Sequence, residues 1–343
     1  MTAAEYLKLL DFCSGVSGSE NNTAETIKKL FSQYCDEVTG DRMGNIIGIR
    51  KGKKSGASSV LFEAHMDELG LMVSKINEEG SLGFIPIGGF DPKVLPGTEV
   101  TVRGKKNLFG VIGAKPPHLI KERTAPKICD MAVDIGLSKE KTAELVNVGD
   151  IITINTSFTR LKGDFVAARC IDNRGGLAMI MRVLELLSGF QIENDVCVLA
   201  SVQEEVGLRG ARVAAFNIKP SSAVSIDTTH GISPSVTEDA LPCGKGPVIE
   251  LGPTLNRHLT KKLISLAKEN KIDFQTEVSE GDTGTDAWEI QTASGGVPVG
   301  LLSIPLRYMH GNYEVADCRD IENGARLLAF FASSYKEGEF SCF

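Results

Sequence analysis

The segment VCVLASVQEE (196–205) is an apolar run that ends on Gln203, Glu204 and Glu205. Its apolar part, 196–202, has the length and β-branched content of a buried strand and is too short for a typical helix. Three further runs behave alike. Residues 59–64 lead into His65-Met66-Asp67, 223–226 end at Asp227, and 298–304 are followed after a short loop by His310. Asp172 precedes a helical pattern over 173–188, in which Leu177, Ile180, Met181, Leu184 and Leu187 share one face. Further helical patterns cover 257–270 and 321–335. Apolar strands alternating with helices predict an α/β fold, a mainly parallel or mixed sheet flanked by helices on both faces. Sites in such sheets form outside the carboxyl ends of the strands, so four strands and one helix start would each bring an acid or an imidazole to one edge.

Upstream, 3–12 and 20–35 read as helices, the second after the turn and cap residues Ser17, Gly18 and Ser19. Residues 45–50 read as a strand, and KGKKSGAS (51–58) as a hairpin-type loop leading to the strand at 59. From 71 to 162 the texture changes. Gly and Pro become frequent, as in FIPIGGFDPKVLPGTEVTV (84–102), and the strand patterns at 99–103, 108–112 and 151–155 are short. The economical organisation is a catalytic α/β domain built from 1–70 and 163–343, with a small β-rich domain inserted at 71–162.

The 343 residues are 42% apolar and 24% charged, enough to bury a large core. The net charge of −7, with Lys and Arg scattered, argues against the basic face that nucleic-acid binding needs. No apolar run approaches the roughly 20 residues that span a bilayer. The opening MTAAEYLKLLDF carries Glu5, Lys8 and Asp11 and so lacks the uninterrupted apolar region of a signal peptide. The eight cysteines form no CxxC pair, which favours reduced thiols in a cytoplasmic protein over a zinc ribbon.

The residue types at the shared edge suit metal chemistry. His65, Asp172, Asp227, His310 and one of Glu204 and Glu205 make two imidazoles and three carboxylates, a set for zinc, cobalt or manganese. One carboxylate bridging two ions roughly 3.5–4 Å apart clamps a hydroxide nucleophile. Asp172, isolated in the chain between the other candidates, is assigned the bridge. His65 and Asp67 are two apart, so on extended chain they point the same way, and Asp67 can fix the His65 tautomer. Glu204 and Glu205 are adjacent and on extended chain point apart, so that one binds metal and the other acts as general base. Each feature alone has an ordinary explanation. HxD pairs are common, Asp is a favoured helix N-cap, and paired glutamates usually sit on a solvated face. Jointly these would be independent coincidences at one sheet edge. His118 and His258 end no core strand and read as surface or structural; Cys170 reads as packing; His230 is the weaker candidate near Asp227.

At these residues the chain resembles the tetrahedral aminopeptidase family, which includes glutamyl and leucyl aminopeptidases. The matching segments are EAHMDELGLMV (63–73), IGGFDPKVLPG (87–97), GVIGAKPPH (110–118), ARCIDNRGG (168–176), QEEVGLRGA (203–211), SIDTTH (225–230), GTDAWEI (284–290) and RYMHGNYEV (307–315), in family order over nearly the whole chain. The resemblance implies one ion on His65 and Asp227, another on Glu205 and His310, Asp172 shared, Glu204 as general base and Asp67 orienting His65. It also implies that the inserted β-barrel-like domain makes dimer contacts and that twelve chains form a tetrahedral shell. One departure stands out: after His310 the family often has Ser-Pro, where this chain has Gly311-Asn312.

The implied activity is removal of the first residue from short peptides with a free N-terminus. The α-amino group would approach one metal while the other polarises the carbonyl. Some relatives have carried an endoglucanase label. A metal-independent glycosidase, however, needs two carboxyls roughly 5–9.5 Å apart and no metals, and leaves both histidines without a role. Only 6% of the residues are aromatic, with a single Trp, which is poor provision for sugar platforms. The same residues would also serve a related metal-dependent deacylase or carboxypeptidase, and a non-catalytic scaffold would hold no metal at all.

Overall fold

A computed structural model describes residues 1–54, 59–116, 118, 126–234, 236–238, 240–336 and 338–340. Thr2 and Glu5 cap α1 (Ala3–Asp11) reciprocally, each side chain accepting from the other's backbone N–H. α2 (Asn21–Phe31) stops short of the expected residue 35, because beyond Phe31 the chain tightens into bonds from Gln33 N to Leu30 O and from Tyr34 N to Phe31 O. β1 (Glu37–Gly40) and β2 (Ile46–Arg50) form a hairpin. Asp41 Oδ1 accepts from the backbone of Met43, Gly44 and Asn45 and so shapes its turn. β3 (Ser59–His65) does not continue that hairpin, as the loop at 51–58 had suggested; a later strand comes between it and β2. Residues 55–58 of that loop lie outside the described set.

The next strands are β4 (Gly70–Ile76), β5 (Leu82–Ile87), β6 (Glu99–Arg103), β7 (Asn107–Ala114) and β8 (Met131–Asp134). After the short helix α3 (Lys139–Leu145) comes β9 (Ile151–Ile154). They close an antiparallel barrel in the order β4-β5-β8-β7-β6-β9. Alternation decides what fills it: in EVTVR, Val100 and Val102 are buried while Glu99, Thr101 and Arg103 turn outward. β10 (Thr159–Arg160) falls within 71–162 yet pairs with β11 (Phe165–Ala168), away from the barrel.

The remaining elements are α4 (Ile171–Leu186), β12 (Asp195–Ser201), α5 (Arg209–Ile218), β13 (Ser222–His230), β14 (Val248–Leu251), α6 (Arg257–Glu269), β15 (Gln275–Val278), α7 (Asp286–Thr292), β16 (Val299–Leu306), β17 (Glu314–Asp317) and α8 (Cys318–Ser334). α8 begins before the expected residue 321 because the Asp317 carboxylate accepts from Arg319 N and nucleates the helix there. The main sheet is mixed and runs β1-β2-β12-β3-β13-β16-β14-β15. β12, β3, β13 and β16 lie mutually parallel at its centre, so their carboxyl ends meet at one edge.

These central strands are apolar nearly throughout because helices cover both faces. Val60, Phe62 and Ala64 of β3 pack into the core with α1, α2, α4, α6 and α8, whereas Leu61 joins the core with α5 and α7. α4 lies close on β3: a Cβ at Gly176 would sit 2.8 Å from the Ala64 Cβ. Phe62 is fully buried, 6.3 Å from the Phe331 ring of α8. Phe62→Ala is therefore expected to cost about 3–5 kcal/mol, read as a lower urea midpoint with unchanged slope; a loss below about 1 kcal/mol would show that this face can collapse around the gap.

Candidate metal centre

β3 ends at His65, and in the parallel register His65 stands beside Ser201, the last residue of β12. The chain then turns rather than continuing extended. Gln203 is left-handed (φ 58°), and Glu204 and Glu205 occupy a turn. Asp67 accepts from Glu204 N at 3.0 Å and from Glu205 N at 3.2 Å and so holds the turn, which brings both carboxylates toward His65 where an extended chain would have pointed them apart. Asp227 lies inside β13, which runs on to His230, and does not end it. Asp172 and Asn173 have non-helical dihedrals at the start of α4, and left-handed Cys170 (φ 56°) turns the chain inward just before them. His310, also left-handed (φ 60°), sits in the loop after β16. A non-glycine residue in this region costs of order 1–3 kcal/mol, so this edge is bent against local preference at several points.

The five expected ligands come together. His65 Nε2 lies 3.2 Å from Asp172 Oδ1, while His310 Nε2 lies 3.4 Å from Asp172 Oδ2 and 3.7 Å from Glu205 Oε2. Candidate donor atoms fall within 4.8 Å of one another in the groups His65–Asp172–Asp227 and Asp172–Glu205–His310, which share Asp172. A third group joins His65, Glu204 and Glu205, with Glu204 Oε2 3.9 Å from His65 Nε2.

Charge is crowded here. Burial, with Asp286, Glu205 and Asp172 behind it, pushes Glu204 up to about 9 against the pull of His65. Burial and Asp172 raise Glu205 to about 7, and burial with Asp172 lifts Asp227 well above the carboxylate range. For Asp172, burial is outweighed by hydrogen bonds from His310 and His65, which hold it below its ordinary value. His310 is raised to about 9, chiefly by its bond to Asp172. Buried carboxylates this close cannot all ionise without countercharge. Divalent cations supply that countercharge, and the mixed imidazole–carboxylate donor set fits them.

Around the ligands runs a supporting set that sequence reasoning mostly missed. Glu314, buried in β17, accepts from Asp172 N at 3.0 Å and from His310 N at 2.9 Å, tying two ligand loops together. The RYMHGNYEV segment contains Glu314, but nothing in its spacing marks it. Asp67 also accepts from Ser17 Oγ at 2.6 Å. Its Oδ1 lies 3.4 Å from His65 Nδ1, an ion-pair distance without hydrogen-bond alignment. Asn173 Nδ2 donates to Ile226 O, the residue before Asp227. Cys170, expected only to pack, donates its thiol to Glu68 Oε2, which also pairs with Arg169. Beneath the site, Ser201 Oγ lies 2.7 Å from both Glu63 Oε1 and Asp286 Oδ2. One hydroxyl proton cannot serve both acceptors, so one of these buried carboxyls carries a proton. At the departure from the family pattern, Asn312 Nδ2 donates to Val94 O and Thr98 Oγ1, both at 2.7 Å, and clips the His310 loop to the barrel.

A cavity of about 590 Å³ opens over the cluster. Gly89 lines it from the end of the barrel strand β5, as does His230, the weaker candidate, which joins none of the metal-competent groups. His118 and His258 are exposed.

Imidazoles and carboxylates gathered at the carboxyl edge of a mixed α/β sheet, with a barrel beside them, define a hydrolase of the metallopeptidase class. The chain belongs to the M42 glutamyl aminopeptidase family, whose model matches residues 44–327, and is thus a hydrolase acting on peptide bonds. It is 36% identical to a lysyl aminopeptidase of Pyrococcus furiosus, over 98% of this chain and 99% of the relative. It is similar to the structure of aminopeptidase APDkam598 from Desulfurococcus kamchatkensis, with TM-score 0.93 and 34% identity over 98% and 96% of the two chains. A Pyrococcus horikoshii TET1 peptidase, which can assemble into a tetrahedron or a large octahedral shell, matches with TM-score 0.86 and 34% identity over 97% of this chain and all of that one.

Glu314→Ala would strand the buried N–H of Asp172, at about 1–3 kcal/mol, and the half-buried N–H of His310, and loosen both loops. It is expected to weaken divalent-metal binding about 10–100-fold, measured by competition with a chelating dye, with the far-UV circular dichroism retained. Unchanged metal affinity would remove Glu314 from any role in shaping the cluster.

Proposed function

We propose that this aminopeptidase uses two divalent ions, zinc, cobalt or manganese, to release the first residue of short peptides with a free N-terminus. The observation that carries this reading is the pair of donor groups joined through Asp172. His65 and Asp227 would hold one ion, Glu205 and His310 the other, and Asp172 both. When bound, such a pair supplies Lewis acidity and brings the pKa of water to about 7.

The chain's own groups do the rest. Glu204 lies beside the cluster without belonging to either group joined at Asp172, which leaves its carboxylate free to serve as general base once cations on the neighbouring ligands offset the burial and the carboxylates that raise it. It takes the proton of the attacking water and delivers it to the leaving amine. Asp67 sets the Glu204 turn from behind and faces His65 Nδ1, orienting both. The cavity over the cluster receives the peptide.

A metal-independent glycosidase would leave His65 and His310 idle, and a deacylase or carboxypeptidase would not require a free amine. The seven cysteines among the described residues are unpaired, which supports a reducing, cytoplasmic setting. None of the described helices is long and apolar enough to cross a membrane. Similarity to the self-assembling Pyrococcus horikoshii peptidase supports a homo-oligomer, which we place as barrel-mediated dimers building a tetrahedral dodecamer.

Glu204→Gln is expected to lower kcat by about 10²–10⁴-fold while bound metal, counted by elemental analysis, stays at the wild-type level; near-normal turnover would overturn the base assignment. Asp172→Asn should reduce metal content at both positions, whereas a loss confined to one would end the shared-ligand proposal. EDTA should abolish hydrolysis of free-amine aminoacyl substrates, with recovery on adding zinc, cobalt or manganese. Persistent activity in chelator would point to metal-independent hydrolysis, and equal cleavage of N-blocked substrates to a deacylase or carboxypeptidase.

A further inference from the structure

The cavity wall away from the metal cluster carries a second set of carboxylates, Glu250 on β14, Glu277 on β15 and Asp282 in the following loop. In the parallel pairing of β14 with β15, Glu250 stands directly opposite Glu277. Registered neighbours are about 4.8 Å apart and share a face, and like charges so placed repel. Nothing cationic offsets this. Among the described residues no lysine or arginine lines the cavity, whose only other titratable basic groups are the imidazoles of His65, His230 and His310. Neutral donors hold the acids instead: Ser303 and Ser279 hydroxyls bond Glu250, and Thr229 Oγ1 donates to Glu277 Oε2 at 2.7 Å. Burial pushes Glu250 above the usual carboxylate range, the serines pull it back, and Glu277 adds to the rise.

The wall belongs to the reaction chamber. Thr229, which anchors Glu277, lies two residues beyond Asp227 on β13, on the same face and about 7 Å along the strand. Val278, Leu208 and Met309 add apolar surface to the same cavity, suited to a methylene stem carrying a charge at its tip. The groups able to hold an ion include neither Glu250 nor Glu277 among the described residues, so a further metal is not what this wall is built for. We propose that Glu250, Glu277 and Asp282 form the subsite for the first side chain of the substrate and select a cationic one, lysine or arginine. This rests on the aminopeptidase reading of the neighbouring cluster.

The test uses the metal-loaded full chain with lysyl, arginyl, leucyl and glutamyl p-nitroanilides, and calorimetry of L-lysine against L-norleucine, which keeps the stem but lacks the ammonium. The expected kcat/KM for lysyl and arginyl substrates exceeds that for leucyl by about tenfold or more, corresponding to one good charged contact. L-Lysine binds correspondingly tighter than L-norleucine. Glu277→Gln, nearly isosteric, lowers the lysyl-to-leucyl ratio about tenfold, and Glu277→Lys shifts preference toward the glutamyl substrate. Leucyl or glutamyl substrates cleaved as well as lysyl by the wild type, or a ratio unmoved by Glu277→Gln, would overturn the proposal and leave the aminopeptidase reading intact. If no free-amine substrate turned over, that reading would fail, while the lysine–norleucine comparison would still decide the subsite: a difference supports it and equality rejects it.

Discussion

Asp172 cannot be charged alongside Glu204, Glu205 and Asp227 at low energetic cost, and this repulsion organises the molecule around it. Two like charges about 4 Å apart in a partly buried site repel by roughly 4 kcal/mol. The two imidazoles bonded to Asp172 offset part of that, while burial first and the neighbouring carboxylates second keep Glu204, Glu205 and Asp227 raised. Such a cluster persists only if its backbone is anchored independently of its side chains, and it is then preorganised for the cations that relieve it.

Anchoring comes from three sources. Parallel strands buried on both faces bring His65, the Glu204 turn and Asp227 to one edge with little freedom to shift, because a slip of register would send apolar side chains to the wrong face. Glu314 and Asp67, neither of which lines the cavity over the cluster, capture backbone N–H groups of Asp172, His310, Glu204 and Glu205. Asn312 clips the His310 loop to the barrel, so the inserted β-structure steadies a residue of the cluster. The left-handed backbone at Cys170, Gln203 and His310 is the conformational cost of turning those ligands inward.

The same chamber continues past the cluster to the wall of Glu250 and Glu277. Acidity in one part of the cavity is matched to metal ions and in the other to a substrate group, and the difference lies in the donors. The first has imidazoles within reach, while the second has hydroxyls only. Hydroxyls position a carboxylate without neutralising it, leaving it free to pair with an incoming cation.

Most of the sheet was legible because β3, β12, β13 and β16 are predominantly apolar runs, and a run that leads into His65 or Glu204 announces its own carboxyl edge. The five residues that the structure gathers, the barrel strands with alternating residues such as Val100 and Val102, and the donor types could be read residue by residue. Strand neighbours could not. The loop at 51–58 looked like a hairpin because local composition says nothing of β12, which arrives some 140 residues later and inserts between β2 and β3. Glu314, the Asp67 bonds to Ser17, Glu204 N and Glu205 N, the Asn312 clip and the facing pair Glu250–Glu277 were likewise invisible, since each depends on segments distant in the chain meeting in space. The amino-acid sequence by itself determined which side chains are suited to metal chemistry and which runs are buried, because both are properties of residue type and local period. Only the tertiary structure decided which backbone groups hold those side chains and which acids face one another, because hydrogen bonding and electrostatic repulsion act through space, not along the chain.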